Sequence, residues 1–180
     1  GCTLGIPGWV NIENAVAAVS LTWVAGCDEE RLNRALADFA GVKRRFEFHT
    51  NTPELVYMDD YAPHPPELPA AITSVKNIFP GRRMTAVFQP HLYTRTRDFH
   101  GGFAEALSLA DETVLLPIYP ARELPIEGVA TEMIARDVTV PWTIGEKEDV
   151  VEYIGKIENP DIIVTFGAGA INVFPEKIEE

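Results

Sequence analysis

Hydrophobic positions change their rhythm near residue 44. From Ile12 to Ala25 nearly every side chain is apolar, including Ala15, Val16, Ala18, Val19, Leu21 and Trp23, which predicts a helix packed on several sides and stopped by Gly26. Asp28 is placed to cap a second helix to about Phe39, with Leu32, Ala35, Leu36 and Phe39 at helical spacing. No strand pattern accompanies these two helices, so residues 1–43 read as the closing helices of a preceding domain whose sheet lies elsewhere. Beyond Arg44, short apolar runs alternate with helical spacing. Arg45–His49 and Glu54–Met58 read as strands joined by a turn at Asn51-Thr52-Pro53. There follow a helix over Pro66–Asn77, a strand at Met84–Phe88, a helix over Thr96–Ala110, a strand at Thr113–Pro117 and a helix at Thr131–Arg136. A weak strand at Val138–Ile144, an acidic helix over Glu146–Ile157 and a buried strand at Asp161–Phe166 complete the series. Such alternation predicts an α/β fold over 44–180, a mostly parallel sheet with helices on both faces.

Charge narrows the partners. The net charge of -12 argues against a nucleic-acid backbone, and no apolar run reaches the length of a bilayer span, so the chain reads as soluble and cytoplasmic. The acidity is uneven: residues 1–122 carry 11 Lys and Arg against 14 Asp and Glu, whereas residues 123–180 carry 4 against 13. Lys43, Arg44, Arg45, Arg82, Arg83, Arg95 and Arg97 all fall in the first part, which suits a local site for phosphate or carboxylate. Cys2 and Cys27 are too isolated for a disulfide framework or a zinc site and read as small, mostly buried thiols, and no metal-ligand set is assigned.

Chemistry concentrates where the Met84–Phe88 strand stops. Pro90 offers no N–H, and His91, Tyr93, Thr94, Arg95 and Arg97 then crowd into seven residues, at the carboxyl end of a strand where open α/β sheets bind ligands. Arg95 is able to fork onto a carboxylate with two parallel hydrogen bonds; equally, arginines opening the helix over Thr96–Ala110 read as ordinary surface residues. Asn11 and Asn14, three apart, offer two amides to a purine edge; equally, Asn11 caps its helix and Asn14 is solvated. Strand alternation would send Arg44 and Arg45 to opposite faces, one to reach a phosphate or both to blunt a sheet edge. The same alternation turns Asp59 and Asp60 apart, which favours a single carboxylate accepting from ribose hydroxyls over an acid/base pair. His64, between prolines, reads as structural or as a ligand contact. Gly167-Ala168-Gly169 reads as a tight turn, because Asn172 stands where a dinucleotide loop needs its third glycine.

Four segments in order, PGWVNIENAVAA (7–18), GVKRRFE (41–47), DDYAPHP (59–65) and FQPHLYTRTRD (88–98), resemble the carboxyl-terminal part of the UDP-N-acetylmuramate L-alanine ligases. YPARELPIEGV (119–129) is a weaker fifth. The resemblance implies a central-domain tail over 1–43 and a Rossmann-like domain over 44–180. It implies an enzyme that uses ATP and Mg²⁺ to activate the carboxylate of UDP-N-acetylmuramate as an acyl phosphate, which the amine of L-alanine then attacks. By position it gives adenine to Asn11 and Asn14, a phosphate to Arg45 and ribose to Asp60. It sets Tyr61 and His64 beside the amino acid, His91 near the reacting centre and Arg95 on the alanine carboxylate. Leu92 and Pro63 depart from the family's usual arginine and histidine, and Val10 from its usual histidine. No GxxxxGK[ST] loop occurs, so the ATP phosphates and most of the metal binding are expected in the missing amino-terminal and central domains. The rival readings are a ligase of the same superfamily that joins a whole peptide to the sugar nucleotide, and a non-catalytic nucleotide-binding module.

Overall fold

The computed structural model describes residues 1–62, 64–145 and 161–167. Two helices, α1 (Trp9–Val24) and α2 (Glu29–Ala37), precede the sheet. The sheet has six strands: β1 (Glu47–Asn51), β2 (Val56–Asp60), β3 (Met84–Phe88), β4 (Glu112–Leu115), β5 (Trp142–Ile144) and β6 (Ile162–Phe166). Helix α3 (Glu67–Ile78) joins β2 to β3, α4 (Tyr93–Leu107) joins β3 to β4, and α5 (Glu132–Ala135) lies between β4 and β5. The order across the sheet is β1-β2-β6-β3-β4-β5, with β1 antiparallel to β2 and every other pair parallel. This is the α/β arrangement that the alternating pattern predicts; the helix expected over 146–157 lies outside the described residues.

Strand periodicity divides the core. Met84, Ala86 and Phe88 of β3, with Ile162, Val164 and Phe166 of β6, pack against Leu68, Ile72 and Val75 of α3, Phe103 and Leu107 of α4, and Ile134 of α5. The intervening residues Val87, Ile163 and Thr165 are buried too, as befits a parallel sheet. Lateral register fixes the ligand edge: Asp60 of β2 and Phe88 of β3 both stand opposite Phe166 of β6, so three strands end level.

Several expectations are corrected. Helix α1 buries none of its residues: Leu21 is 73% and Val24 87% exposed, although the apolar run predicts packing on several sides. Composition records what a helix is suited to bury, and among the described residues α1 packs chiefly on α2 and α3. Cys2 and Cys27 flank that uncovered helix and are exposed, where burial was expected. Arg44 and Arg45 are not on a strand. Arg44 (φ 62°) and Phe46 (φ 53°) adopt left-handed backbone, which interrupts extension, and β1 starts at Glu47. Helix α4 starts at Tyr93, three residues before the expected Thr96. Nor do the basic residues share one site. Arg82 binds Asp161, holding that carboxyl below its usual range, and Arg83 pairs with Glu112 at 2.9 Å, both at the amino ends of the parallel strands.

Candidate functional site

The sequence-predicted site residues stand at or just after the carboxyl ends of β2 and β3, in the turn before β1, and on α1 and α4. Asn11, Asn14, Arg45, Asp60 and Tyr61 line one open cleft together with Val10, Phe46, Glu67 and Ser74. Asn11 does not cap α1. Gly8 holds the cap position at φ 102°, and the Asn11 amide donates to the Pro7 carbonyl at 2.6 Å. Both asparagines thus present to the cleft from the first turns of α1, as their spacing of three requires.

The adjacent aspartates have separate environments, as strand alternation demands. Asp59 is 1% exposed and accepts hydrogen bonds from Arg44 Nε at 3.1 Å and Thr165 Oγ1 at 2.9 Å. Asp60 turns to the cleft. Burial pushes its carboxyl up to about 6, against the backbone N–H groups of Ala62 and Phe46, with Asp59 adding repulsion and Arg45 opposing it.

Arg44 is the residue that sequence reasoning missed. Its backbone N–H donates to Glu47 Oε2 at 2.6 Å and its carbonyl accepts from Tyr61 N–H at 2.8 Å. Its guanidinium binds Asp59, donates to the Gly167 carbonyl at 2.6 Å and lies 5.6 Å from the Tyr61 ring centroid. One arginine thereby ties the turn before β1 to the ends of β2 and β6, while Arg45 faces the cleft. The left-handed backbone at Arg44 and Phe46 is what separates the two roles, and two arginines in a row carry no mark of it.

His91 and Arg95 form a second station, at the end of β3. Arg95 Nη1 lies 3.5 Å from His91 Nδ1, and the His91 ring stacks on Tyr119 at 5.7 Å and 18°. Burial lowers the His91 pKa, Arg95 and His64 lower it further and Glu123 opposes them, which favours the neutral ring. Exposed His64 is close enough to contribute to that field, and its backbone carbonyl accepts from Glu67 N–H at 3.0 Å to begin α3. The stations are separated by one strand, β6, or about 10 Å at the usual interstrand spacing. The cleft itself is lined by neither His91 nor Arg95.

The donor set of the cleft fits a nucleoside: two amides, a carboxylate beside an aromatic ring, and an arginine. Among the described residues, Glu47, His49 and Asp59 bring ligand atoms within 4.8 Å of one another, but both Asp59 oxygens serve Arg44 and Thr165, and Glu47 accepts from the Arg44 backbone.

Comparison with known proteins is consistent across sequence and fold. The family described as "Mur ligase, glutamate ligase domain" matches residues 44–169. The UDP-N-acetylmuramate–L-alanine ligase of Parabacteroides distasonis is 49% identical over 180 residues, covering 98% of this chain and 38% of that protein. The enzyme of the same name from Porphyromonas gingivalis strain W83 is 46% identical, over 98% of this chain and 40% of its own length. The chain thus spans about two fifths of the curated relatives that it matches. The crystal structure of the UDP-N-acetylmuramate-alanine ligase of Thermotoga maritima superposes with a TM-score of 0.80 at 29% identity, over 99% of this chain and 39% of that one. A murein peptide ligase from Psychrobacter arcticus (TM-score 0.68, 21% identity, 99% and 38% covered) shares the fold.

Proposed function

Because the chain belongs to the Mur ligase family, we propose that it is the carboxyl-terminal part of an ATP-dependent ligase that joins L-alanine to UDP-N-acetylmuramate. Residues 1–43 are then the last helices of the ATP-binding domain and residues 44–180 the domain that closes over it. The observation that carries this reading is the cleft shared by Asn11, Asn14, Arg45, Asp60 and Tyr61, on the same rim as His91 and Arg95. The names of the relatives support the choice of L-alanine.

In this reading Asn11 and Asn14 hold the adenine edge, Asp60 accepts from the ribose hydroxyls and Arg45 meets a phosphate. ATP supplies the phosphoryl group that activates the muramate carboxylate; with Mg²⁺, its phosphates are held chiefly by the part of the protein that precedes this chain. Arg95 forks onto the alanine carboxylate with His64 nearby, and Tyr61, on the rim of the nucleotide cleft, faces the amino acid from the other station. An arginine only donates, so its approach to His91 Nδ1 favours the neutral tautomer protonated on Nε2. His91 then serves as a hydrogen-bond donor to the reacting carbonyl and not as a base. Charge neutralisation and alignment of the amine, achieved by domain closure, account for the rate. The nucleotide substrates place the reaction in the cytoplasm; among the described residues no helix is long and apolar enough to cross a membrane.

The test is phosphate release by the full-length protein given ATP, UDP-N-acetylmuramate and either L-alanine or a tripeptide. The proposal expects release with L-alanine, and none from residues 1–180 alone, which lack a GxxxxGK[ST] loop. Preference for the tripeptide would make it a peptide-joining ligase. Turnover with neither would leave a nucleotide-binding module.

A further inference from the structure

The 119–129 segment has no part in the reaction as assigned above, yet it grips the loop that carries the second station. Tyr119 N–H donates to the Pro90 carbonyl at 2.8 Å and Leu92 N–H donates to the Tyr119 carbonyl at 3.0 Å, a parallel bridge centred on His91. Four residues further, the Glu123 carboxylate accepts the Thr94 N–H at 3.0 Å through one oxygen and the Thr94 hydroxyl through the other.

Helix α4 needs that carboxylate. Its first N–H groups have no intrahelical partner, and its own cap residue, Leu92, contributes no side-chain hydrogen bond and sits at φ 73°. Leucine also has no oxygen to offer. Glu123 supplies the cap from 29 residues away, and its negative charge meets the positive end of the helix. The Thr94 hydrogen bonds hold the Glu123 carboxyl below its usual range, so the charge is present throughout neutral pH.

We propose that Glu123 is a positioning residue for the amino-acid station: by capping α4 from outside, it fixes the helical turn on which Arg95 stands. Arg95 follows Thr94 directly, so unwinding the first turn would swing the guanidinium away from the His91 ring while leaving the nucleotide cleft, built on β2 and α1, in place. The functional part of this inference rests on the amino-acid role proposed for Arg95; the cap itself does not.

Two measurements separate those layers. In the full-length protein, Glu123→Gln keeps the shape of the side chain and removes its charge. We expect the KM for L-alanine to rise roughly 5–20-fold, the scale of a lost helix cap, while the KM for ATP stays within about twofold. Thr94→Val, a milder change that spares the carboxylate, is expected to act in the same direction, and the double variant to be less than additive because both break one contact. In residues 1–180, amide hydrogen exchange at Thr94 is expected to quicken about tenfold or more in Glu123→Gln, with β3 and β6 amides unchanged. Unaltered Thr94 exchange would overturn the cap. Faster exchange with both KM values unmoved, or moved equally, would reduce Glu123 to a stabilising residue. Failure of the unsubstituted full-length enzyme to consume L-alanine would sink the proposed function, and the exchange result would still decide the cap.

Discussion

Asp60 and Asp59 are neighbours in sequence with opposite fates. Asp59 is paired with Arg44 and spends its charge on structure; Asp60 keeps a costly charge at the cleft. The native pKa of Asp60, about 6, lies above its ordinary value of 3.8. Between those two pH values the folded chain holds a proton that the unfolded chain has released. Stability attributable to this group therefore falls as pH rises from about 4 to 6, by up to about 3 kcal/mol. Asp60→Asn is expected to flatten that slope, raise stability at pH 7 and weaken nucleotide binding, as urea titrations at several pH values and ATP titration of the full-length protein would register. An unchanged slope would remove Asp60 as its source. The turning apart of the two aspartates was legible from strand alternation, because that rule depends only on backbone geometry. Arg44 was not legible: its partners Asp59, Tyr61 and Gly167 come from two other strand ends, and its left-handed backbone leaves no trace in composition.

At the scale of elements, strands and helices were foreseen in kind and displaced at their ends. The Met84–Phe88 strand is found as predicted, because Pro90 punctuates it and its five residues are all buried. The strands of the first hairpin both begin two residues late. Position 45 looked extended by composition, but the break in the chain at Arg44 and Phe46 delays β1, and β2 keeps register with it across a bulge between Phe48 and Thr50. Helix α4 begins early because its cap comes from Glu123, far along the chain, and local capping signals do not encode such a partner. Gly167 marks the junction of β6 with the rim. Its φ of 147° belongs to glycine, and an added Cβ would stand 2.8 Å from the Gln89 carbonyl oxygen. Gly167→Ala is expected to cost roughly 1–3 kcal/mol by denaturant unfolding and to loosen both stations, since Arg44 holds the Gly167 carbonyl. A neutral result would mean that this turn relaxes freely.

For the molecule as a whole, the level ends of β2, β6 and β3 turn scattered sequence segments into one rim. Its two stations are separated by a single strand, near enough to serve successive parts of one reaction and far enough to be perturbed separately. Helix α1 is exposed along its length, where its apolar run predicts burial. Which residues converge could be read from the ordered segments of the family resemblance; that they form two stations and not one pocket required the sheet order, which placed β6, the last strand in the chain, between β2 and β3. The most direct test is a pair of substitutions in the full-length protein, assayed by phosphate release. Arg45→Ala is expected to raise the KM for ATP about tenfold or more with little effect on L-alanine, and Arg95→Lys, which keeps the charge but loses the fork, to raise the KM for L-alanine with little effect on ATP. If each substitution shifted both constants alike, or if Arg95→Lys left the L-alanine KM unchanged, the two-station rim would be contradicted.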